Sequence, residues 1–168
     1  MLTAIQYPLE AIALHTGKGK TLSFMGVTLT FKAVSADTDG AWALMEYTAP
    51  PHFPGPGLHW HKVTREGFYV LEGTLTFRLG AQGGQVIRGA AGAFVHIPPG
   101  VVHAFSNEED TPTRFLTFLS PGGLEQYFVE LVALAQSEPT WPPKDMHKLA
   151  ELRVRYDQYT PDELSEAG

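Results

Sequence analysis

The sequence predicts an all-β domain followed by a helical extension, and three observations support this prediction. Between residues 21 and 120, short runs rich in Val, Phe, Tyr and Thr are separated by Gly and Pro, as in strands joined by turns. This region shows no alternation of strands with helices, which a parallel sheet would require. After Ser120-Pro-Gly-Gly123, apolar residues recur at helical spacing instead. About nine or ten short strands indicate a sandwich, jelly roll or barrel.

The individual strands follow from alternation and from turn residues. The clearest strand contains Val27, Leu29, Phe31 and Ala33, which alternate with polar residues. A glycine-rich turn at 80–84 closes a hairpin, because glycine adopts the positive φ that tight loops require. Further strands are predicted at 41–48, 67–71, 74–79, 85–88, 93–97, 102–106 and 113–119.

The last part of the chain is predicted to be helical. One amphipathic helix starts near Leu124 and ends before Pro139, and a second follows Pro143. The sequence Thr160-Pro-Asp-Glu163 is a capping box that predicts a final short turn. These helices are too few to form a core of their own, so we expect them to pack on the β-domain or on a neighbouring subunit.

These patterns divide the chain into three parts. They are an N-terminal segment (1–20), a β-barrel domain (21–120) and a helical extension (121–168). The extra helices favour a homodimer.

Composition excludes several classes of function. The net charge is −6 and the 12 Lys and Arg residues are scattered, so we expect no nucleic-acid partner. The N-terminus lacks the basic opening and apolar run of a signal peptide, and no apolar stretch approaches the ~20 residues that cross a bilayer. The absence of cysteine excludes thiolate metal sites and fits a reducing cytoplasm. We therefore predict a cytoplasmic protein with no membrane partner.

Four residues are candidates for one metal site. In a strand, residues two apart lie on one face with Cα atoms ~6–7 Å apart, so His59 and His61 can converge on one ion. Glu66 follows after a span long enough for a turn that returns its carboxylate to the same place. His103, after the turn Pro98-Pro-Gly100, can supply a further nitrogen.

The two stretches that carry these residues resemble the two sequence motifs of the cupin family. The first motif, G-x5-H-x-H-x3,4-E-x6-G, is matched by His59, His61, Glu66 and Gly73. The second, G-x5-P-x-G-x2-H-x3-N, is matched by Gly92, Pro98, Gly100, His103 and Asn107. One departure is Phe53, which stands where the first motif opens with Gly, although Gly55 and Gly57 are close by.

The resemblance implies a double-stranded β-helix, a small jelly-roll barrel. It implies that His59, His61, Glu66 and His103 bind one divalent transition metal inside the barrel mouth. A site of three nitrogens and one carboxylate suits Fe, Mn, Ni, Co, Cu or Zn.

Within the cupins, the stretch 56–73 and the continuation 113–131 are similar to stand-alone members of the quercetin 2,3-dioxygenase-like group. This similarity implies a metal-dependent dioxygenase whose small aromatic or enol substrate, and dioxygen, bind at the metal. Glu66 would then be the catalytic residue, serving as both ligand and proton acceptor. By strand parity, Phe105 shares the face of His103 and Phe68 that of Glu66, so both are candidate substrate-binding residues.

Two other functions stay open at this point. A metal-dependent sugar isomerase or epimerase would need a base such as Arg78 or Arg88 facing the cavity. A non-catalytic cupin that binds a small molecule would need no turnover at all. The remaining histidines, His15, His52, His96 and His147, lie outside the motif positions and are expected at the surface, on the rim or in packing.

Overall fold

The computed structural model describes residues 11–164, and within them the chain forms nine strands and two α-helices. The strands are β1 (Lys20–Phe24), β2 (Val27–Ala33), β3 (Ala43–Ala49), β4 (Arg65–Glu72), β5 (Thr74–Leu79), β6 (Gln85–Ala90), β7 (Phe94–Ile97), β8 (His103–Ser106) and β9 (Thr113–Ser120). The helices are α1 (Glu125–Ser137) and α2 (Met146–Arg155), with short 3-10 turns at Ser35–Asp37 and Pro161–Leu164.

The strands form two antiparallel sheets, as the predicted jelly roll requires. The larger sheet has six strands in the order β1-β2-β3-β9-β4-β7, and the smaller has three in the order β6-β5-β8. Alternating residues of β2 and β3 are buried, which confirms the predicted inward face of β2. The all-β fold with a helical C-terminus is therefore confirmed.

The first core lies between the two sheets. It contains the buried residues Val27, Leu29, Tyr47, Ala49, Phe68, Val70, Leu75, Phe77, Ile97 and Phe115. Burying such side chains removes apolar surface from water at about 25 cal/mol per Å², which is the main stabilisation of the barrel.

A second core shows why the helices are where they are. Phe31, Met45 and Leu119 extend the inner face of the large sheet, and they pack against Tyr127 of α1 and Leu152 of α2. The two helices therefore lie on the barrel of their own chain and cover apolar residues of the six-stranded sheet.

The helix ends are fixed by carboxylates. The buried Glu125 accepts hydrogen bonds from the backbone N–H groups of Ser35 and Gly123, both at 2.6 Å, and so ties the start of α1 to the β2–β3 connection. Asp145 caps α2 by accepting from the His147 N–H at 3.0 Å. In the predicted capping box, the Glu163 carboxylate accepts from the Thr160 N–H at 2.5 Å.

One element differs from the expectation. The convergence of His59 and His61 was argued from strand geometry, but His59 forms only an isolated bridge with His103, and Trp60 forms one with Tyr159. The C-terminal segment thus supplies half of the pairing, which periodicity within the barrel sequence does not indicate.

Neither α1 nor α2, the α-helices of residues 11–164, has the length and apolar character needed to cross a bilayer. Residues 1–10 of the predicted N-terminal segment and the last four residues of the predicted extension lie outside the described part of the chain.

Candidate metal centre

The structure brings the four predicted ligands together inside the barrel. One ligand atom from each of His59, His61, Glu66 and His103 lies within 4.8 Å of the others, and all four residues are buried. The imidazole centroids of His59 and His103 are 4.3 Å apart, and those of His59 and His61 are 5.1 Å apart. Imidazole rings at these centroid distances can each direct one nitrogen to a single ion.

Each histidine is oriented by a backbone carbonyl. The Nδ1 atoms of His59, His61 and His103 lie 2.9, 2.7 and 2.9 Å from the carbonyl oxygens of Gly57, Asp157 and Val101. A carbonyl oxygen can only accept, so each Nδ1 carries a hydrogen and donates it. In the neutral ring this leaves the Nε2 lone pair for a ligand, which is how metal-binding histidines are commonly held.

The charge arrangement inside the cluster calls for a cation. His103 Nε2 lies 2.6 Å from Glu66 Oε2, and His61 Nε2 lies 3.3 Å from the same oxygen. Two acceptor atoms do not approach this closely without a proton or a metal ion to neutralise their repulsion. His61 Nε2 is also fully buried with no hydrogen-bond partner among the described residues. The donor set therefore fits a divalent metal.

Burial and the contacts within the cluster shift the pKa values of its members. Burial, together with the neighbouring His103, lowers the pKa of His59 to about 4, so His59 is neutral at pH 7 as a ligand must be. Burial alone would lower the pKa of His61, but its contacts with Glu66 outweigh burial and raise it. Burial alone would raise the pKa of Glu66, but the contacts with His103 and His61 outweigh it, so the pKa is lowered and the carboxylate is ionised.

A residue outside both motifs stabilises the turn 62–64, which lies between the ligands His61 and Glu66. The Asp157 carboxylate accepts hydrogen bonds from the N–H groups of Lys62, Val63 and Thr64 at 2.8–3.0 Å, and from the Thr64 hydroxyl at 2.8 Å. Its own carbonyl accepts from His61. Burial would raise the pKa of Asp157, but these donors outweigh it and lower the pKa. We refer to these contacts of Asp157 as the Asp157 clamp.

Sequence reasoning missed the clamp. Asp157 lies beyond α2 with φ of 60°, a conformation that Asp tolerates better than most residues. Nothing near it in the sequence indicates a partner more than ninety residues earlier.

The second motif is held by its own side chain. The Asn107 amide donates to the carbonyls of Pro50 and Thr111, both at 2.8 Å, and its oxygen accepts from the Glu109 N–H at 3.1 Å. Gly55 takes over where Phe53 departs from the first motif, since it has φ of 71° and lies against the Phe105 carbonyl where a Cβ would clash.

A cavity of about 430 Å³ opens from the cluster. His59, His61, Glu66 and Phe105 line it, and so do apolar residues of β1, β2, α1 and α2. Phe68 lies in the core behind Phe105, with ring centroids 5.5 Å apart and 1% of its surface exposed. Phe68 therefore supports Phe105 and is not among the residues that line the cavity.

The other candidates lie elsewhere. His15, His52, His96 and His147 are exposed. Arg78 and Arg88 make ion pairs on the surface with Glu108 and Glu109 and do not line this cavity. The two arginines that the sequence offered for a sugar isomerase therefore do not face this cavity.

The sequence is similar to known proteins. A family model described as a cupin domain matches residues 45–119. Quercetin 2,3-dioxygenase of Bacillus subtilis (strain 168) is 29% identical over 127 residues, covering 74% of this chain and 34% of that protein. The chain thus spans about a third of the length of this relative.

Solved structures show the same architecture. The polyketide cyclase RemF from Streptomyces resistomycificus superposes with a TM-score of 0.58 at 22% identity, over 66% of this chain and 80% of that one. KdgF from Halomonas sp. gives a TM-score of 0.56 at 14% identity, over 67% of this chain and 96% of that one. At these identities the likeness concerns the fold alone.

The two motifs, the domain match and the fold agree. Residues 45–119, which contain both motifs, are thus the part of the chain that is similar to cupin domains. It carries a buried His/His/Glu/His cluster compatible with a metal ion.

Proposed function

We propose that this protein is a metal-dependent dioxygenase that acts on a small aromatic or enol compound. The observation that carries this proposal is the buried ligand cluster at one end of a largely apolar cavity. A cavity of about 430 Å³ is in the size range of small-molecule sites. The similarity to quercetin 2,3-dioxygenase supports the reaction class.

In this proposal His59, His61, Glu66 and His103 hold one divalent ion from the series Fe, Mn, Ni, Co, Cu and Zn. When bound, a metal of this kind supplies a Lewis-acid centre and an open position for substrate oxygen or dioxygen. The three backbone carbonyls that orient the histidines keep the ligand atoms in place before the metal arrives.

The remaining roles belong to the side chains around the cluster. Glu66 lines the cavity, so its carboxylate lies where it can accept the proton of a substrate hydroxyl. The Phe105 ring lines the same cavity and packs against Tyr47, Phe68 and Phe115 at centroid distances of 5.5–5.6 Å, which fixes its position. Phe105 can therefore stack on a planar substrate.

The test of the catalytic role is Glu66→Gln. The amide has nearly the same shape but cannot take up the proton, and it is a weaker ligand. We expect oxygen uptake with flavonols and related enols to fall by about 10²–10⁴-fold, while the circular dichroism spectrum stays that of the wild type. Metal content is measured on the same samples to separate loss of the base from loss of the ion.

Glu72→Gln is the matched control. Glu72 lies on the same strand but is exposed and pairs with Arg114, so its substitution leaves uptake unchanged. Unchanged uptake in Glu66→Gln would overturn the role of Glu66. A wild-type protein that binds metal and enols without oxygen uptake would favour the non-catalytic binding function instead.

The assembly and location stay predictions from the sequence. We expect a homodimer in the cytoplasm, and light scattering of the purified protein tests the first of these.

A further inference from the structure

The cavity has further polar lining residues, which the helical extension supplies. Arg153 of α2 and Tyr127 of α1 line the same cavity as the ligand cluster. The Arg153 guanidinium lies close enough to the Tyr127 phenol to oppose the rise in its pKa that burial causes. We call these two residues the Arg153–Tyr127 pair.

Arg153 is half-buried and has no carboxylate partner within residues 11–164. Its Nε atom is buried and has no hydrogen-bond partner within residues 11–164. No carboxylate of those residues lies within ion-pair distance of its guanidinium, whereas two other bases of the same helix are paired, Arg155 with Glu130 at 2.8 Å and Lys148 with Glu138 at 2.6 Å. Taking a cation partly out of water costs free energy, and an accompanying anion offsets that cost.

A purely structural role explains part of this arrangement. Arg153 is in the last turn of α2, where a positive charge interacts favourably with the helix dipole. Arg155 occupies the same turn, however, and fills that role from the surface with its charge paired. The dipole therefore does not explain why Arg153 is turned towards the cavity with a donor left free.

We propose that the Arg153–Tyr127 pair binds a carboxylate carried by the substrate, while the metal ligands bind another part of the same molecule. A guanidinium presents its N–H groups in a fork that matches the two oxygens of a carboxylate, and the adjacent phenol offers a further donor. Apolar residues that line the same cavity, such as Leu22, Leu29 and Phe128, suit the body of the molecule. The ligand is thus an aromatic or enolic acid, which narrows the substrate class in the proposed function and rests on it.

The test is equilibrium binding, measured by calorimetry on the full chain as purified. The probes are hydroxyaryl carboxylates of increasing length, 4-hydroxybenzoate and 4-hydroxycinnamate, each compared with its methyl ester. The ester keeps the ring and the hydroxyl but loses the charge. We expect at least one acid to bind about 10- to 100-fold more tightly than its ester, as a charged hydrogen-bonded contact requires.

Three variants locate the effect. Arg153→Met should abolish the preference for the acid while leaving the affinity for the ester within about twofold. Arg153→Lys keeps the charge without the fork and should retain part of the preference. Arg155→Met removes the exposed neighbouring base and should change neither affinity. Retained ester binding shows that the cavity is intact in each variant.

The outcomes separate this inference from the proposed reaction. If both acids bind no better than their esters, or if the preference survives in Arg153→Met, the inference is overturned. If Arg153→Met binds neither the acid nor the ester, the Arg153→Lys variant decides. A preference for the acid as strong in Arg153→Lys as in the wild type overturns the inference, and a weaker preference supports it. A preference for the acid without oxygen uptake would support this inference and overturn the proposed dioxygenase activity. Oxygen uptake without a preference for the acid would support the dioxygenase activity and overturn this inference.

Discussion

Two parts of the cavity are built in different ways. One is the part at the ligand cluster, called the ligand end, and the other is the part lined by α1 and α2, called the helix-covered end. At the ligand end, four side chains from two short stretches of sequence converge, and every imidazole is oriented by a backbone carbonyl. At the helix-covered end, apolar side chains of α1 and α2 pack on β2, β3 and β9, and the polar groups there are the Arg153–Tyr127 pair and Gln158. The first end is organised by polar geometry, and the second by burial of apolar surface.

This difference assigns separate tasks to the two ends. The ligand end offers a fixed set of donor atoms, which is what a metal ion selects. The helix-covered end offers volume and a cation, which are what the body of a small acid selects. Substitutions at one end should therefore leave the property that the other end controls nearly unchanged.

The largest expected effect is on folding and comes from the helix-covered end. Leu124 is 7% exposed and belongs to the core that joins α1 to the large sheet. Leu124→Ala should lower the free energy of unfolding by about 2–5 kcal/mol, since it removes a buried side chain and leaves a cavity. Urea unfolding measures this, with Val154→Ala at an exposed position as the control, expected within about 0.5 kcal/mol of wild type.

The metal affinity of Leu124→Ala sharpens the comparison. We expect it to stay within about twofold of the wild-type value, because independent distant sites add without coupling. A tenfold loss of metal affinity in this variant would show that the two ends are coupled, and would contradict their separation.

The next largest effect is on metal affinity and comes from the Asp157 clamp. Asp157→Asn replaces an oxygen acceptor by an amide that cannot accept from all the N–H groups of the turn 62–64. Metal affinity should fall by about 10- to 100-fold, the usual cost of losing a group that orients the ligands. Chelator competition measures it, and Asp110→Asn on the exposed rim is the matched control.

The pH dependence of this clamp follows from its pKa. The pKa of Asp157 is lowered in the folded state, so the carboxylate contributes stability that is present above its unfolded value of about 3.9 and is lost as the pH falls through the folded value. The difference in the free energy of unfolding between wild type and Asp157→Asn should therefore be the same at pH 6 as at pH 8. A difference that grows between these values would show that another group carries the effect.

The smallest effect concerns Phe105, whose ring lines the cavity. Phe105→Leu keeps an apolar side chain but loses the ring contacts with Tyr47, Phe53 and Phe115. We expect the KM of an aromatic substrate to rise by about 2- to 10-fold with kcat little changed, the equivalent of one lost aromatic contact. The same substitution at the core residue Phe68 should act mainly on stability, and a KM effect larger there than at Phe105 would reverse the assignment.

Much of the ligand end could be predicted from the sequence, because its information is local. The spacing of His59, His61 and Glu66, and of His103 after its Pro-Gly turn, fixes which side chains can meet. Strand parity also placed Phe105 and Phe68 on the inner side of the barrel, where both lie. Parity gives the side of a sheet but not the depth within it, so it could not show that Phe68 sits behind Phe105.

The features that sequence reasoning missed depend on contacts between distant parts of the chain. The pairing of Trp60 with Tyr159 and the Asp157 clamp join residues about a hundred positions apart. Helical periodicity predicted α2, but it could not show that Arg153 faces a cavity while Arg155 faces solvent. Such contacts are set by how the extension docks, which no short pattern encodes.

The central claim is that His59, His61, Glu66 and His103 hold one metal ion. The most direct measurement is the metal content of protein purified without added metal, by plasma mass spectrometry, for wild type and His103→Ala. We predict close to one equivalent of Fe, Mn, Co, Ni, Cu or Zn in the wild type and its loss in the variant. A wild type that stays metal-free after reconstitution with each of these ions, or a variant that retains a full equivalent, would contradict the claim.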